Sequence, residues 1–308
     1  MIVHAIWDFT FLYYKYHFAM KSGRLRTLSC PVNWKGTVIE KDMSVIYYSI
    51  AEIEKQRRKL EDEGHSVVTS ICFDMPSKRK ELTDGENYKE GRQNTLKETD
   101  FENIEFIEKI LGDAGHNTYR YAGYEADDIV TFLAKTYRDV FDYTIIYTPD
   151  KDLAVNIDER VGMYRYKSSD GYHPVSHTNY SAYFSNEFGC TIPYNAILLY
   201  LCTVGDKSDK VKGINKFGAK AFDKLITNMN ETFKDIDWAR CVDLEYLDEV
   251  VKKAATLLKP EQVEQMMNSY ELVKPLKIDL IPDSPEKKTT YEKRVKAYEP
   301  YKFVSLYQ

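Results

Sequence analysis

Glu125-Ala-Asp-Asp-Ile-Val-Thr-Phe-Leu-Ala-Lys-Thr-Tyr-Arg-Asp-Val-Phe-Asp-Tyr-Thr-Ile-Ile-Tyr-Thr-Pro-Asp-Lys-Asp152 is the stretch that decides the fold. Ile129, Phe132 or Leu133, Tyr137 and Val140 recur at the three-to-four spacing of one buried helix face, which puts Glu125, Asp127 and Asp128 in the first helical turn. Tyr143 to Tyr147 is a β-rich apolar run, and Thr148-Pro149 ends it. Asp150 and Asp152 then fall at the carboxyl end of a core strand, the usual place for a site in an α/β sheet. Acids in a first turn offset the helix dipole and Asp is common in turns, so either cluster alone is ordinary. Together they repel, and a cation is the simplest thing that holds them ionised side by side. Oxygen-only donors favour Mg2+ or Mn2+ over Zn2+.

Upstream, Ile2 to Trp7 predicts a first strand that ends at Asp8 and feeds an aromatic helix carrying Tyr13, Tyr14, Tyr16 and Phe18. A polar loop or hairpin over 22–41 precedes a helix over 43–63 with Ile46, Ile50, Ile53 and Leu60 inward. The next strand, 66–73, again terminates in an acid, Asp74, so three strands end in aspartate. From 76 to about 100 the apolar signal drops out and Lys78, Arg79, Lys80, Lys89 and Arg92 accumulate. A solvated loop is the ordinary reading of such a run; its place directly after Asp74 favours a basic lid that contacts phosphate. A helix over 101–111 and a strand over 117–121 lead into the acidic stretch.

Downstream, a short helix, a strand near 162–166, a loop through Pro174 and a helix over 180–188 are expected. Gly189 stops that helix, and beyond it the pattern becomes mainly helical. A buried helix, Ala196 to Val204, runs into Gly205-Asp206-Lys207-Ser208-Asp209. Gly213 and Gly218 follow, flanked by Lys210, Lys212, Lys216, Lys220 and Lys224. A glycine turn between helices offers backbone amides and a helix N-terminus to a phosphate, and the lysines add charge.

The chain has 308 residues, room for one large domain or two ordinary ones. Its 43 Lys and Arg against 48 Asp and Glu give a net charge of −5, which alone argues against nucleic acid; distribution decides instead. Five cysteines without CxxC spacing imply reduced, buried thiols and a cytoplasmic location. The N-terminus lacks a basic leader and no apolar run is long enough for a membrane span, so neither a signal peptide nor a membrane partner is expected.

With Asp8, Asp74, Glu125-Ala-Asp-Asp128, Thr148-Pro-Asp-Lys-Asp152 and Gly205-Asp-Lys-Ser-Asp209 in order, the sequence resembles the 5′ nuclease superfamily over roughly residues 1–226. That family contains flap endonucleases, the 5′-3′ exonuclease domains of bacterial DNA polymerases and phage RNase H-type proteins, and a standalone chain like this one looks most like a phage version, placed in the host cytoplasm. The resemblance implies a PIN-like α/β domain over 1–188, with a mostly parallel central sheet and a helical arch at about 76–100. A helical domain over 189–308 would bind duplex through a helix-turn-helix variant. By matching motif, Asp8, Asp74, Glu125 and Asp127 would form a first metal site, and Asp128, Asp150, Asp152, Asp206 and Asp209 a second, for two Mg2+ or Mn2+ ions. Lys89 and Arg92 match the basic pair of the arch; Gly213, Lys216, Gly218 and Lys220 match the duplex-binding turn, where relatives hold K+. Three departures stand out: Glu81 where the family often has Arg, with Arg79 or Lys80 as substitutes; Pro149 for a glycine; and Lys210 and Lys212 for Asn and Pro. The implied activity is metal-dependent 5′-3′ exonuclease and 5′ flap endonuclease cleavage of DNA at duplex/single-strand junctions, extending to RNA in RNA–DNA hybrids, by a monomer that works beside replication proteins. The alternatives are a PIN-type ribonuclease, which would lack the basic glycine turn, and a DNA-binding scaffold without cleavage.

Overall fold

A computed structural model describes residues 1–34, 36–82, 89, 96–279, 284–286 and 288–307. In chain order, β1 (Ile2–Asp8) leads to α1 (Thr10–Lys21), an antiparallel hairpin of β2 (Ser29–Trp34) and β3 (Thr37–Asp42), and α2 (Ser44–Asp62). Then come β4 (Ser66–Cys72), α3 (Glu98–Asp113), β5 (Asn117–Tyr119), α4 (Ala126–Thr136), β6 (Tyr143–Thr148), β7 (Val161–Lys167) and β8 (Gly171–Val175). The helical half contains α5 (Tyr180–Phe188), α6 (Ile197–Val204), α7 (Ala219–Thr232), α8 (Leu244–Ala255), α9 (Pro260–Val273) and α10 (Tyr291–Tyr298). Residues 83–88 and 90–95 of the stretch expected to form the arch, Arg92 included, lie outside the described residues.

The strands form one sheet in the order β5-β4-β1-β6-β7-β8, parallel except for β8. In β1, Val3, Ala5 and Trp7 join the core on one face and Ile6 joins the other, so the strand is apolar on both sides, as a central parallel strand must be. One face packs on α1, α2 and α3; the other packs on α4 and continues without a break into α6 to α9. The change of element type at Gly189, whose φ of 65° closes α5, is therefore not a break in the core.

Three local expectations differ from the structure. Residues 171–175 form the antiparallel edge strand β8 rather than a loop, and Pro174 is tolerated because an edge strand has unpaired positions. The helical period read through Val140 overruns α4, which ends at Thr136 and leaves Val140 59% exposed. The last segment of the expected 189–308 domain returns to the opposite face of the sheet, where Tyr298, Phe303 and Leu306 complete the core beside α2 and α3.

This return is fastened by a buried polar knot. Glu54 on α2 accepts from Arg57 Nε at 2.8 Å, from the Tyr298 hydroxyl at 2.7 Å, and faces His116 Nε2 at 2.9 Å. Burial alone would raise the Glu54 carboxyl, but His116, Arg57 and Tyr298 outweigh it and hold it down to about 2. A depressed carboxyl adds stability above its unfolded value and loses it as pH falls toward the folded one. Wild type should accordingly exceed Glu54→Gln by about 3 kcal/mol near neutrality. Chemical denaturation at several pH values should show that advantage vanish between about pH 4.5 and pH 2.

Candidate metal centre and its basic surroundings

The sheet's order assembles the site. β1 lies between β4 and β6, with Asp8 opposite Cys72 and Trp7 opposite Tyr147, so Asp8, Asp74 and Asp150 leave the same edge from three adjacent strands. Neighbouring strands are about 4.8 Å apart, which places these carboxylates within mutual repulsion. Burial, then the charges of Asp74, Asp150 and Asp127, pushes the Asp8 carboxyl well above its ordinary range, against the opposing hydrogen bond from Thr148. Thr148 joins two of the strand ends: its hydroxyl donates to Asp8 Oδ2 at 2.9 Å and accepts the Asp150 N–H at 3.0 Å.

The start of α4 meets this edge from the helical side. Asp74 Oδ1 accepts the Ala126 N–H at 2.7 Å, using one of the amides that a helix N-terminus leaves unpaired. Asp127 Oδ1 accepts the Asp128 N–H at 2.7 Å. Asp128 is held differently. Arg79 forks onto it, Nη1 to Oδ2 at 2.9 Å and Nη2 to Oδ1 at 2.7 Å, and the amides of Leu276 and Glu125 add bonds of 2.7 and 3.1 Å. Both of its oxygens are engaged by the protein.

Asp150, Asp152 and Asp209 form a second gathering, each offering an oxygen within 4.8 Å of the other two. Burial, then Asp150, raises Asp152 far above the usual carboxylate range; Asp206 and Asp209 add to this and Lys151 opposes it. Asp152 Oδ1 is buried without a hydrogen-bond partner among the described residues. Lys151 Nζ lies 3.7 Å from that oxygen, and a cluster of three carboxylates fits a divalent cation with oxygen ligands. Asp206, like Asp128, is engaged: Oδ2 accepts from Lys151 Nζ at 2.6 Å, and Oδ1 accepts from the Ser208 amide and hydroxyl at 2.8 and 2.5 Å. Burial would raise Asp206, but Lys151 and Ser208 bring it below its ordinary value.

Lys89 stands between the two groups. Its Nζ donates to Glu125 Oε1 at 2.6 Å and lies 3.9 Å from Asp209 Oδ2, while its backbone N–H reaches the Asp209 carbonyl at 3.3 Å.

The glycine turn abuts the acidic loop. Gly213 has φ +64°, and a Cβ there would sit 2.4 Å from the Gly205 nitrogen; a Cβ on Gly205, at φ +92°, would sit 2.7 Å from the Lys212 carbonyl oxygen. This contact of two backbones needs glycine at both positions. Gly218 has an ordinary φ of −117°, open space where a Cβ would go, and caps the N-terminus of α7. Lys210, Lys212, Lys216, Lys220 and Lys224 around the turn are all exposed.

Sequence reasoning named Lys89 and offered Arg79 only as a substitute for a family arginine; it gave no role to Lys151 or Thr148. Lys151 was visible as the basic residue between two aspartates, and Arg79 as one member of a basic run. Their partners come from α4 and the 206–209 loop, which no spacing connects to them.

Against known proteins, a family model described as the N-terminal, resolvase-like domain of 5′-3′ exonuclease matches residues 4–186, more than half of the chain. The 5′-3′ exonuclease of Aquifex aeolicus is 28% identical over 192 residues, 59% of this chain and 63% of that protein. The 5′-3′ exonuclease of Mycoplasmopsis pulmonis is 30% identical over 178 residues, 58% of this chain and 52% of that protein. The chain thus matches less than two thirds of the length of these relatives. A bacteriophage T5 flap endonuclease, solved with DNA and metal ions, overlays at a TM-score of 0.53 with 11% identity, covering 89% of this chain and 99% of that one, a likeness of fold. By its strand-end aspartates and by the extent of this match, the chain belongs to the 5′-3′ exonuclease family of the 5′ nuclease superfamily.

Proposed function

We propose that the protein is a metal-dependent 5′ nuclease that hydrolyses phosphodiester bonds of DNA near junctions of duplex and single strand. The observation that carries this reading is the meeting of Asp8, Asp74 and Asp150 at one sheet edge with the Asp150, Asp152 and Asp209 trio, beside an exposed basic turn. Asp8, Asp74, Glu125 and Asp127 are assigned to one Mg2+ or Mn2+ site and Asp150, Asp152 and Asp209 to another. Asp128 and Asp206 are assigned to holding Arg79 and Lys151, from which their oxygens accept along with other protein donors; Glu125, which also accepts from Arg79 and Lys89, keeps its metal assignment on the resemblance alone. Divalent ions bound there would neutralise the scissile phosphate and acidify a water.

The chain's own residues do the rest. Lys89, already between both acid groups, is assigned to offsetting charge that develops on the phosphate. The turn from Gly213 to Gly218, with Lys216 and Lys220, is assigned to the duplex backbone; bonds to phosphate carry no sequence information, so the substrate is recognised by shape. The resemblance extends the proposal to K+ at this turn and to RNA in RNA–DNA hybrids.

Incubation with Mg2+ and labelled 5′-flap, nicked, single-stranded and RNA–DNA substrates tests the activity. Cleavage should favour junctions and leave a 5′-phosphate; a protein that cuts none of them does not have this function. The turn is tested separately. Lys216→Ala with Lys220→Ala should weaken duplex binding and reduce the slope of log affinity against log salt by about one for each phosphate no longer neutralised. An unchanged slope in a salt titration would make the turn a plain helix connector.

A further inference from the structure

We propose that Arg79 is a positioning residue that ties the duplex-binding turn to the catalytic helix, so that the place where duplex is gripped sets where the chain is cut. This rests on the nuclease reading above. Arg79 is 2% exposed, in a single 3-10 turn over Lys78–Glu81. The segment carrying it runs beside the approach to α4, with the amides of Met75 and Lys78 bonded to the carbonyls of Tyr124 and Gly123. Its guanidinium bonds Glu125 Oε2 at 2.9 Å, both oxygens of Asp128, and the carbonyl of Lys274 at 3.1 Å. Lys274 is the C-cap of α9, and the next amide but one, Leu276, returns to Asp128.

The other end of the connection is on the same helix. Ser269 Oγ accepts the Gly213 N–H at 3.1 Å, and Gln265 Oε1 accepts the Asn215 N–H at 2.8 Å. A single rigid helix is thus bonded to the glycine turn through one face and to the acidic centre through its C-terminus. A planar fork with five donors can satisfy two carboxylates and a carbonyl at once; an ammonium cannot, which is why Arg79→Lys is informative.

The test uses the full chain and a 5′-flap DNA read at nucleotide resolution. Thermal melting establishes folding, calorimetry with Mn2+ reports metal binding, and fluorescence anisotropy reports duplex affinity. Arg79→Lys should bind Mn2+ and DNA within about threefold of wild type, yet cleave roughly 10- to 100-fold more slowly in single turnover, the usual effect of losing a partner behind a ligand. Its products should spread over neighbouring positions. Gln265→Ala, at the far end of α9, should spread the products in the same way, and the double variant should lose less than the product of the two single losses.

Wild-type rate and cut position in a folded Arg79→Lys protein would overturn the proposal. So would a loss fully matched by weakened Mn2+ binding, which would confine Arg79 to Glu125 alone, or independent effects of the two substitutions. If Arg79→Lys fails to fold, an unchanged cut position in Gln265→Ala overturns it. A wild-type protein that cuts nothing would defeat the nuclease reading instead, and the two failures are distinguishable.

Discussion

Asp150→Asn is expected to lower cleavage by on the order of 10³-fold, the scale on which a preorganised charge at a reaction centre acts, while duplex affinity stays within about threefold. Asp150 is chosen because it belongs to both acid groups. Its charge is felt by Asp8 on β1 and by Asp152 in the next turn, and it supplies one of the three oxygens of the trio with Asp209. The substitution keeps the side chain's shape and the 3.0 Å bond that its oxygen accepts from the Asp152 amide. It removes one negative charge from a cluster whose members repel, so the apo protein should be no less stable than wild type. The proposed duplex contacts, Lys216 before α7 and Lys220 in its first turn, are exposed and lie on a different segment from Asp150. Single-turnover cleavage, anisotropy and thermal melting on one preparation check the three statements together. A variant that cleaves near the wild-type rate would remove Asp150 from the centre.

The sheet was legible because strand and helix periods are local. Asp8, Asp74 and Asp150 each follow an apolar run, and a parallel sheet then forces strand ends to one edge, so a one-dimensional pattern became a three-dimensional prediction. Asp128 and Asp206 show where that reasoning stops. In sequence they are indistinguishable from their neighbours Asp127 and Asp209. The difference lies in what approaches them: Arg79 and the Leu276 amide on one, Lys151 and Ser208 on the other. Those partners are brought in by packing across long separations, which neither period nor spacing encodes. The tail was opaque for the same reason. Tyr298 and Phe303 look like surface aromatics of a last helix until α2 and α3 are in place to receive them. β8 was missed because Pro174 weighs against a strand, a rule that holds for central positions and relaxes at an edge.

Lys89→Ala should slow single-turnover cleavage by on the order of 10²-fold and weaken DNA binding less than about threefold, because a charge that meets the transition state contributes there selectively. The geometry gives the reason. Lys89 Nζ sits 2.6 Å from Glu125 and 3.9 Å from Asp209, one acid from each group, and the backbone that carries it is bonded to the Asp209 carbonyl. Its φ of 52° lies in the left-handed region that a side-chain-bearing residue seldom adopts, so the surroundings select this placement. An ammonium in this position lies between the acids that would bind the cations, and so beside the place where those cations would hold a phosphate. Lys89→Arg keeps the charge and should recover part of the rate, which separates electrostatic action from loss of packing. Were Lys89 only a surface cation that concentrates DNA, the alanine variant would lose affinity and salt slope and regain full rate at saturating DNA. Single-turnover rates measured across a DNA titration, at two salt concentrations, decide between these outcomes.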